Sequence, residues 1–367
     1  MQKIQINHVQ LFCTMVLFLF GTAILLDIGS GAKQDAWIVT LISPLFGILL
    51  FSLYFFIYRK YPDKPLTSYI QVIWGKYIGS IVSFLYILYF IYIASRVLRD
   101  FEELLVVSAY FRTSIITIGI CITFVLIYAV SLGFEVISRV AIICFGIIVI
   151  FFFILDSMFV LGGYLHFENV LPVLSEGWKP IFKEIFPLNI TVPYGELITF
   201  TMIFPYLKDS KKGFKYGIVA IILCGLYFTI SALQFIFVLG PDVIIRSSFP
   251  ALTAVAYIDI GDFVQRLDTL VIILMVILGF IKIAVFFYCA VLGINQVFSI
   301  TPHPFINCFV GGMILLFSLV ITQSYQGHIE EGLNIVPYYI HLPFQIIIPI
   351  MLLLTIVIKE KVLKRSS

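Results

Sequence analysis

The sequence predicts an all-α integral membrane protein of about ten transmembrane helices, arranged as a five-plus-five inverted repeat in which helices one and six are broken. Three observations carry that prediction. Of 367 residues, 61% are hydrophobic and only 12% are charged, and the mean hydropathy is +1.11; a water-soluble fold would have too little polar surface to cover itself. The apolar residues come in long unbroken runs and not in ten-residue alternation, which selects helices over a barrel as the way to satisfy the backbone in lipid. Helix-breaking and polar residues recur inside two spans that lie five spans apart, the pattern expected of an inverted repeat.

At about 20 apolar residues per crossing, spans fall near 9–28, 37–58, 80–106, 114–132, 140–161, 186–207, 215–239, 267–293, 305–322 and 337–358. They form one transmembrane domain, with repeat one near 9–161 and repeat two near 186–358. The first apolar run has one preceding lysine and no small-residue cleavage site, so it reads as a retained span. Lysine and arginine set the orientation. The side shared by the termini carries 14 of them, from Lys3 through the Arg59–Lys76 and Lys208–Lys215 groups to Arg365, and the other side carries 6. Both termini are therefore expected in the cytoplasm. The connections 162–185 and 240–266 are long and external, and the apolar stretch Ser247 to Ile260 is too short to span; it reads either as a lid or as a plain interfacial helix.

The candidate site residues are those that lipid penalises. Span one carries Gly21, Thr22, Ala23 and Ile24 at mid-membrane, where a helix could unwind. Span six carries Pro193, Tyr194, Gly195 and Glu196, a stronger breaker because proline removes a donor and glutamate is costly in lipid. N–H groups freed at such breaks can hold a carboxylate. Lys282 lies too deep in span eight to snorkel; it could replace a bound sodium ion, switch with protonation, or lock two helices together. Span three ends with Arg96, Arg99, Asp100, Glu102 and Glu103, where Arg96 with Asp100 and Arg99 with Glu103 fall at i, i+4. Either these charges neutralise one another at the outer interface, or Arg99, Glu102 and Glu103 turn inward to gate or couple the site.

Other classes find no support in the residues. A net charge of +3 without basic clusters interleaved with aromatics argues against nucleic acid. Cys13, Cys121, Cys144, Cys224, Cys289 and Cys308 stand singly, without metal-ligand spacing, so no metal or cofactor is expected. Asp27, Asp156 and Glu196 have no local histidine partner, and no nucleophile or phosphate loop is present, so no enzyme is expected. A small solute bound within the bundle is the remaining reading, for a receptor, a proton- or cation-coupled transporter, or an ion-conducting subunit.

Several segments together resemble one family, the spore germination permeases that form the B subunits of bacterial germinant receptors. They are Tyr61-Pro62-Asp63-Lys64-Pro65-Leu66 followed by Trp74-Gly75-Lys76-Tyr77-Ile78-Gly79; Leu171-Pro172-Val173-Leu174 with Gly177 and Lys179-Pro180-Ile181; Tyr194-Gly195-Glu196 leading to Phe204-Pro205; and Gly261-Asp262-Phe263-Val264-Gln265-Arg266-Leu267-Asp268. One departure follows span three, where the family often has Leu-Pro-x-Thr-Pro and this chain reads Ala109-Tyr110-Phe111-Arg112-Thr113-Ser114. The resemblance implies a LeuT-like fold of the amino acid–polyamine–organocation type. It implies a germinant-sensing subunit in the inner membrane of the spore, acting with an A subunit and a lipoprotein C subunit on a small nutrient such as an amino acid, sugar or nucleoside.

Overall fold

The computed structural model describes residues 5–26, 29–257, 267–322 and 324–366, and nearly all of them are helical. In chain order the α-helices are His8–Leu26 (α1), Ala36–Lys60 (α2), Leu66–Trp74 (α3), Lys76–Ser108 (α4), Ile115–Ser131 (α5), Phe134–Leu161 (α6), Trp178–Glu184 (α7), Ser210–Leu239 (α8), Pro241–Arg246 (α9), Pro250–Ala256 (α10), Leu267–Val297 (α11), Pro304–Val320 (α12), Tyr325–Asn334 (α13) and Ile348–Ser366 (α14). Several begin where a side chain caps the first turn. Ser114 Oγ accepts from Thr117 N, Asp209 Oδ1 from Lys212 N and Ser324 Oγ from Gly327 N.

Among the described residues, seven helices are long and apolar enough to cross a membrane: α1, α2, α4, α6, α8, α11 and the continuous Pro337–Val362 run that leads into α14. An eighth is reached if α12 and α13, bent by 103° against each other, count as one broken span. Helices of this length and apolarity make the chain a multi-pass membrane protein. The expected spans four and nine contain α5 and α12, of 17 residues each, about 26 Å at 1.5 Å per residue and so slightly short of a bilayer core. The connection after α2 is not a bare loop, because α3 occupies it, and the apolar stretch after Ser247 forms α10 up to Ala256. Residues 258–260 of that stretch, Asp27 and the 261–266 part of the family-like segment lie outside the described residues.

The break expected in span six is present, and its cause is local. Ile185–Tyr194 winds as a π-type helix and Gly195–Met202 as a 3-10 helix, with Phe204–Tyr206 a further short turn. Inside the first, Phe186 (φ −115, ψ 126) and Val192 (φ −119, ψ 119) leave helical space. Each precedes a proline, whose ring drives the preceding residue toward extended backbone. The break expected in span one is not present: α1 is continuous from His8 to Leu26 and runs through Gly21 and Thr22. Glycine and threonine weaken a helix without depriving it of its hydrogen bonds, and here Gly21 serves close packing instead. A Cβ at Gly21 would lie within 3 Å of the Lys282 side chain.

At the centre of the bundle α4 and α11 pack along their lengths, and α1 packs against α6, α8 and α11. Gly279 of α11 admits the ring of Phe101 of α4 at a distance no side chain would allow, the small-residue contact by which membrane helices approach. At one end of the molecule the chain start is tied down. Ile6 N donates to Tyr206 O and Lys208 N donates to Ile6 O, and Lys60 pairs with Glu360. At the other end the Ser30–Asp35 turn is fastened to the 172–176 loop by Lys33–Glu176 and by Asp35, which accepts from Leu174 N.

Candidate functional site

Lys282 sets the centre of the site. It is fully buried on α11, where an uncompensated ammonium would be prohibitively costly. Its Nζ lies 2.5 Å from Glu196 Oε2 and donates to Thr22 Oγ1 at 2.6 Å, with the Phe18 ring centroid at 5.3 Å adding a cation–π contact. The lysine therefore clasps α1, α11 and the broken segment together. Gly21 gives it passage, since its side chain lies directly against the Gly21 backbone. Residues 22, 196 and 282, chosen from the sequence on separate grounds, meet at one point.

Next to this ion pair lies a small cavity of about 50 Å³, whose mostly apolar lining, which includes Ile93, Val97 and Val192, is interrupted by Thr22, Arg96, Asp100, Glu196, His328 and His341. That volume holds a few waters and is far below the several hundred Å³ of ligand pockets, so the cavity is too small for a nutrient in this conformation. The remaining sequence candidates divide around it. Ala23, Ile24, Pro193 and Tyr194 line a separate, mostly apolar cavity of about 30 Å³ between α1, α2 and α8. A helix advances 100° per residue, so Thr22 and its two successors cannot share one wall. Gly195 faces Gln345, whose Oε1 occupies the place a Cβ would take.

Of the charges that end span three, Arg96, Arg99, Asp100 and Glu102 are buried and Glu103 is half-buried, and they do not form the pairs expected of them in every case. Arg99 pairs with Glu103 at 2.6 Å, as the i, i+4 spacing predicts. Arg96 does not pair with Asp100. Its Nη2 donates to His328 O at 2.6 Å and its Nη1 lies 3.5 Å from Glu331 Oε2, while Asp100 Oδ1 lies 3.0 Å from His328 Nε2. Partners on α13 displace the local pairing because a fully buried arginine needs several acceptors at once. Glu102, wholly buried, accepts from Ser318 Oγ of α12 at 3.0 Å; it points away from the cavity and into the α4–α5–α12 contact, beside Gly119.

Sequence reading missed a second buried network on the other wall. Tyr89 OH lies 3.0 Å from His341 Nδ1, Gln345 Nε2 donates to Tyr89 OH at 2.8 Å, and Tyr54 OH donates to Gln345 O at 2.6 Å. These residues join α2 and α4 to the π-type turn Pro337–Ile347. Polar residues His341 and Gln345 spaced i, i+4 inside an apolar run were the available signal.

Comparison with known proteins bears on the whole of this arrangement. The sequence profile of a family described as spore germination protein matches residues 5–326. The chain belongs to that family. The chain is also 37% identical to spore germination protein KB of Bacillus subtilis (strain 168), covering 100% of this chain and 98% of the relative. It is 22% identical to spore germination protein YndE of the same organism over 78% of this chain and 77% of the relative. It is 24% identical to spore germination protein XB of Bacillus anthracis over 78% of each. The resemblance read from the four sequence segments is thus to the right family.

Proposed function

We propose that the chain is the nutrient-sensing membrane subunit of a spore germination receptor, held in the inner membrane of the spore with both termini in the cytoplasm. A small nutrient enters the cavity beside the Lys282–Glu196–Thr22 cluster and favours one arrangement of the bundle over another. An A subunit and a lipoprotein C subunit sense that shift. The observation that carries the reading is the convergence of a buried ion pair, a broken helix and a small cavity with polar side chains in its wall, the kind of place where inverted-repeat bundles hold solutes. The repeat itself belongs to the proposal. It is supported by packing between elements five spans apart: α4 with α11, α2 with α8, α5 with α12, and α1 with the broken segment.

A second reading, proton- or cation-coupled transport of an amino acid, is favoured by one further observation. A cavity of about 370 Å³ opens where α5, α11 and α12 end or begin, lined by Ser131, Tyr206, Tyr288, Asn295 and Asn307, as a second mouth of a solute path would. Uptake of labelled nutrient into liposomes containing this chain alone favours transport, and binding without uptake favours sensing.

The test is germination of spores whose sole receptor carries Glu196→Gln or Gly21→Ala, across amino acids and sugars at rising concentration. Normal receptor abundance with a rightward dose shift supports the site; an unchanged dose response moves recognition elsewhere.

A further inference from the structure

The small inner cavity has a neighbour. A vestibule of about 700 Å³ lies at the end of the molecule remote from Ile6, lined among others by Ser30, Arg246, Ser247, Gln326 and Glu330. Both spaces are bounded by Ile329 and Leu333 of α13, two residues one helical turn apart and therefore on one face. The same two aliphatic side chains thus face both a large, mixed polar vestibule and the small inner cavity.

The attachment of α13 is unlike that of the other helices. Among the described residues its closest packing is against the Pro337–Ile347 turn, and it meets α12 at 103°. Polar links to α4 hold it instead. Arg96 donates to its backbone at His328 O and faces Glu331, and Asp100 meets the His328 ring. The Tyr325 ring stacks on Phe249 at 5.5 Å. Gly332 lies against the Arg96 guanidinium, where a Cβ would contact Nη2. An element with little apolar packing and a few specific latches opens at low free-energy cost, and opening exposes the vestibule to the cavity without disturbing the α4–α11 core.

We infer that α13 is the outer door of the inner cavity, that Ile329 and Leu333 are its plug, and that Arg96 and Asp100 of α4 are its latch. The vestibule receives a small hydrogen-bonding solute, since its lining is mixed polar with one cation and one acid, and passes it inward when α13 moves away from α4. This rests on the reading of the inner cavity as the solute site, because the latch residues Arg96, Asp100 and His328 are also cavity walls. Solute binding can thereby be felt by the door.

The experiment needs no solute and so separates this inference from that reading. The full-length chain, its six cysteines replaced by alanine, carries Val97→Cys in the inner cavity wall or Ser248→Cys in the vestibule. A membrane-impermeant thiol reagent is added from outside to cells expressing each. The inference expects rapid labelling at position 248, slow labelling at 97, and a rise of about tenfold or more at 97, with none at 248, when Glu331→Gln weakens the latch and enlarges the open population. Ile329→Ala with Leu333→Ala, which removes the plug and leaves the latch, is expected to do the same, and serves where Glu331→Gln yields too little folded protein. Fast labelling at 97 in the latched protein, or an unchanged rate at 97 in both variants, overturns the door. An unchanged nutrient dose response in spores carrying Glu196→Gln, with the expected gating of position 97, would instead count against the proposed nutrient site alone.

Discussion

At the residue scale the decisive side chain is Lys282, because a buried ammonium has few ways of being tolerated and this one uses an acid, a hydroxyl and an aromatic face together. Removing one partner of such a pair strands the other charge, at a cost of about 3–5 kcal/mol, whereas replacing both by apolar residues is often neutral. Lys282→Met is therefore expected to lower the detergent melting temperature sharply. The double variant with Glu196→Leu is expected to recover most of that loss while still failing to support germination. If the single variant melts normally, the pair contributes little and the lysine is a packing residue. The depth of Lys282 and the oddity of Glu196 in an apolar run were visible in the sequence. Their contact across 86 positions was not, since neither carries any mark of its partner.

At the scale of elements, local chemistry explains where helices start and where span six breaks, because capping side chains and residues before proline act within a few positions. It does not explain α1. Gly21 and Thr22 gave the same small-residue signal whether the helix unwinds there or is approached closely, and the tertiary neighbour Lys282 decides for close approach. The α4–α11 contact gives a second test. Gly279 admits Phe101, so Gly279→Val should force the helices apart and cost about 1–3 kcal/mol through overpacking. Adding Phe101→Ala should return part of it, a non-additivity measured by thermal melting of the four proteins in one detergent. Additive losses would mean that the two positions do not press on each other.

At the scale of the whole molecule, seven or eight helices among the described residues meet the length and apolarity of a crossing, and the ten-span reading adds the short α5 and the irregular 185–206 segment. The parity is testable. Reporter fusions at the two ends and after residue 171 should place both termini in the cytoplasm and position 171 outside, since lysine and arginine gather on the side of the termini. A terminus on each side would remove the five-plus-five repeat. The Ile6–Tyr206 and Lys60–Glu360 contacts put the first, second, sixth and last spans at one end, as an even number of crossings requires.

By itself the sequence determined the solvent, the helical class, the positions of most spans and the family, because each of these is written in composition, run length or local segments. It also named the polar residues that a membrane interior tolerates only for a reason. The tertiary structure alone decided which of them meet. It joined Thr22, Glu196 and Lys282, turned Ala23, Ile24, Pro193 and Tyr194 to another cavity, gave Arg96 and Asp100 to α13, and buried Glu102 against Ser318. Pairing of buried charge depends on distance in space, and a chain that returns through the membrane many times brings distant positions within hydrogen-bond reach that no local pattern records.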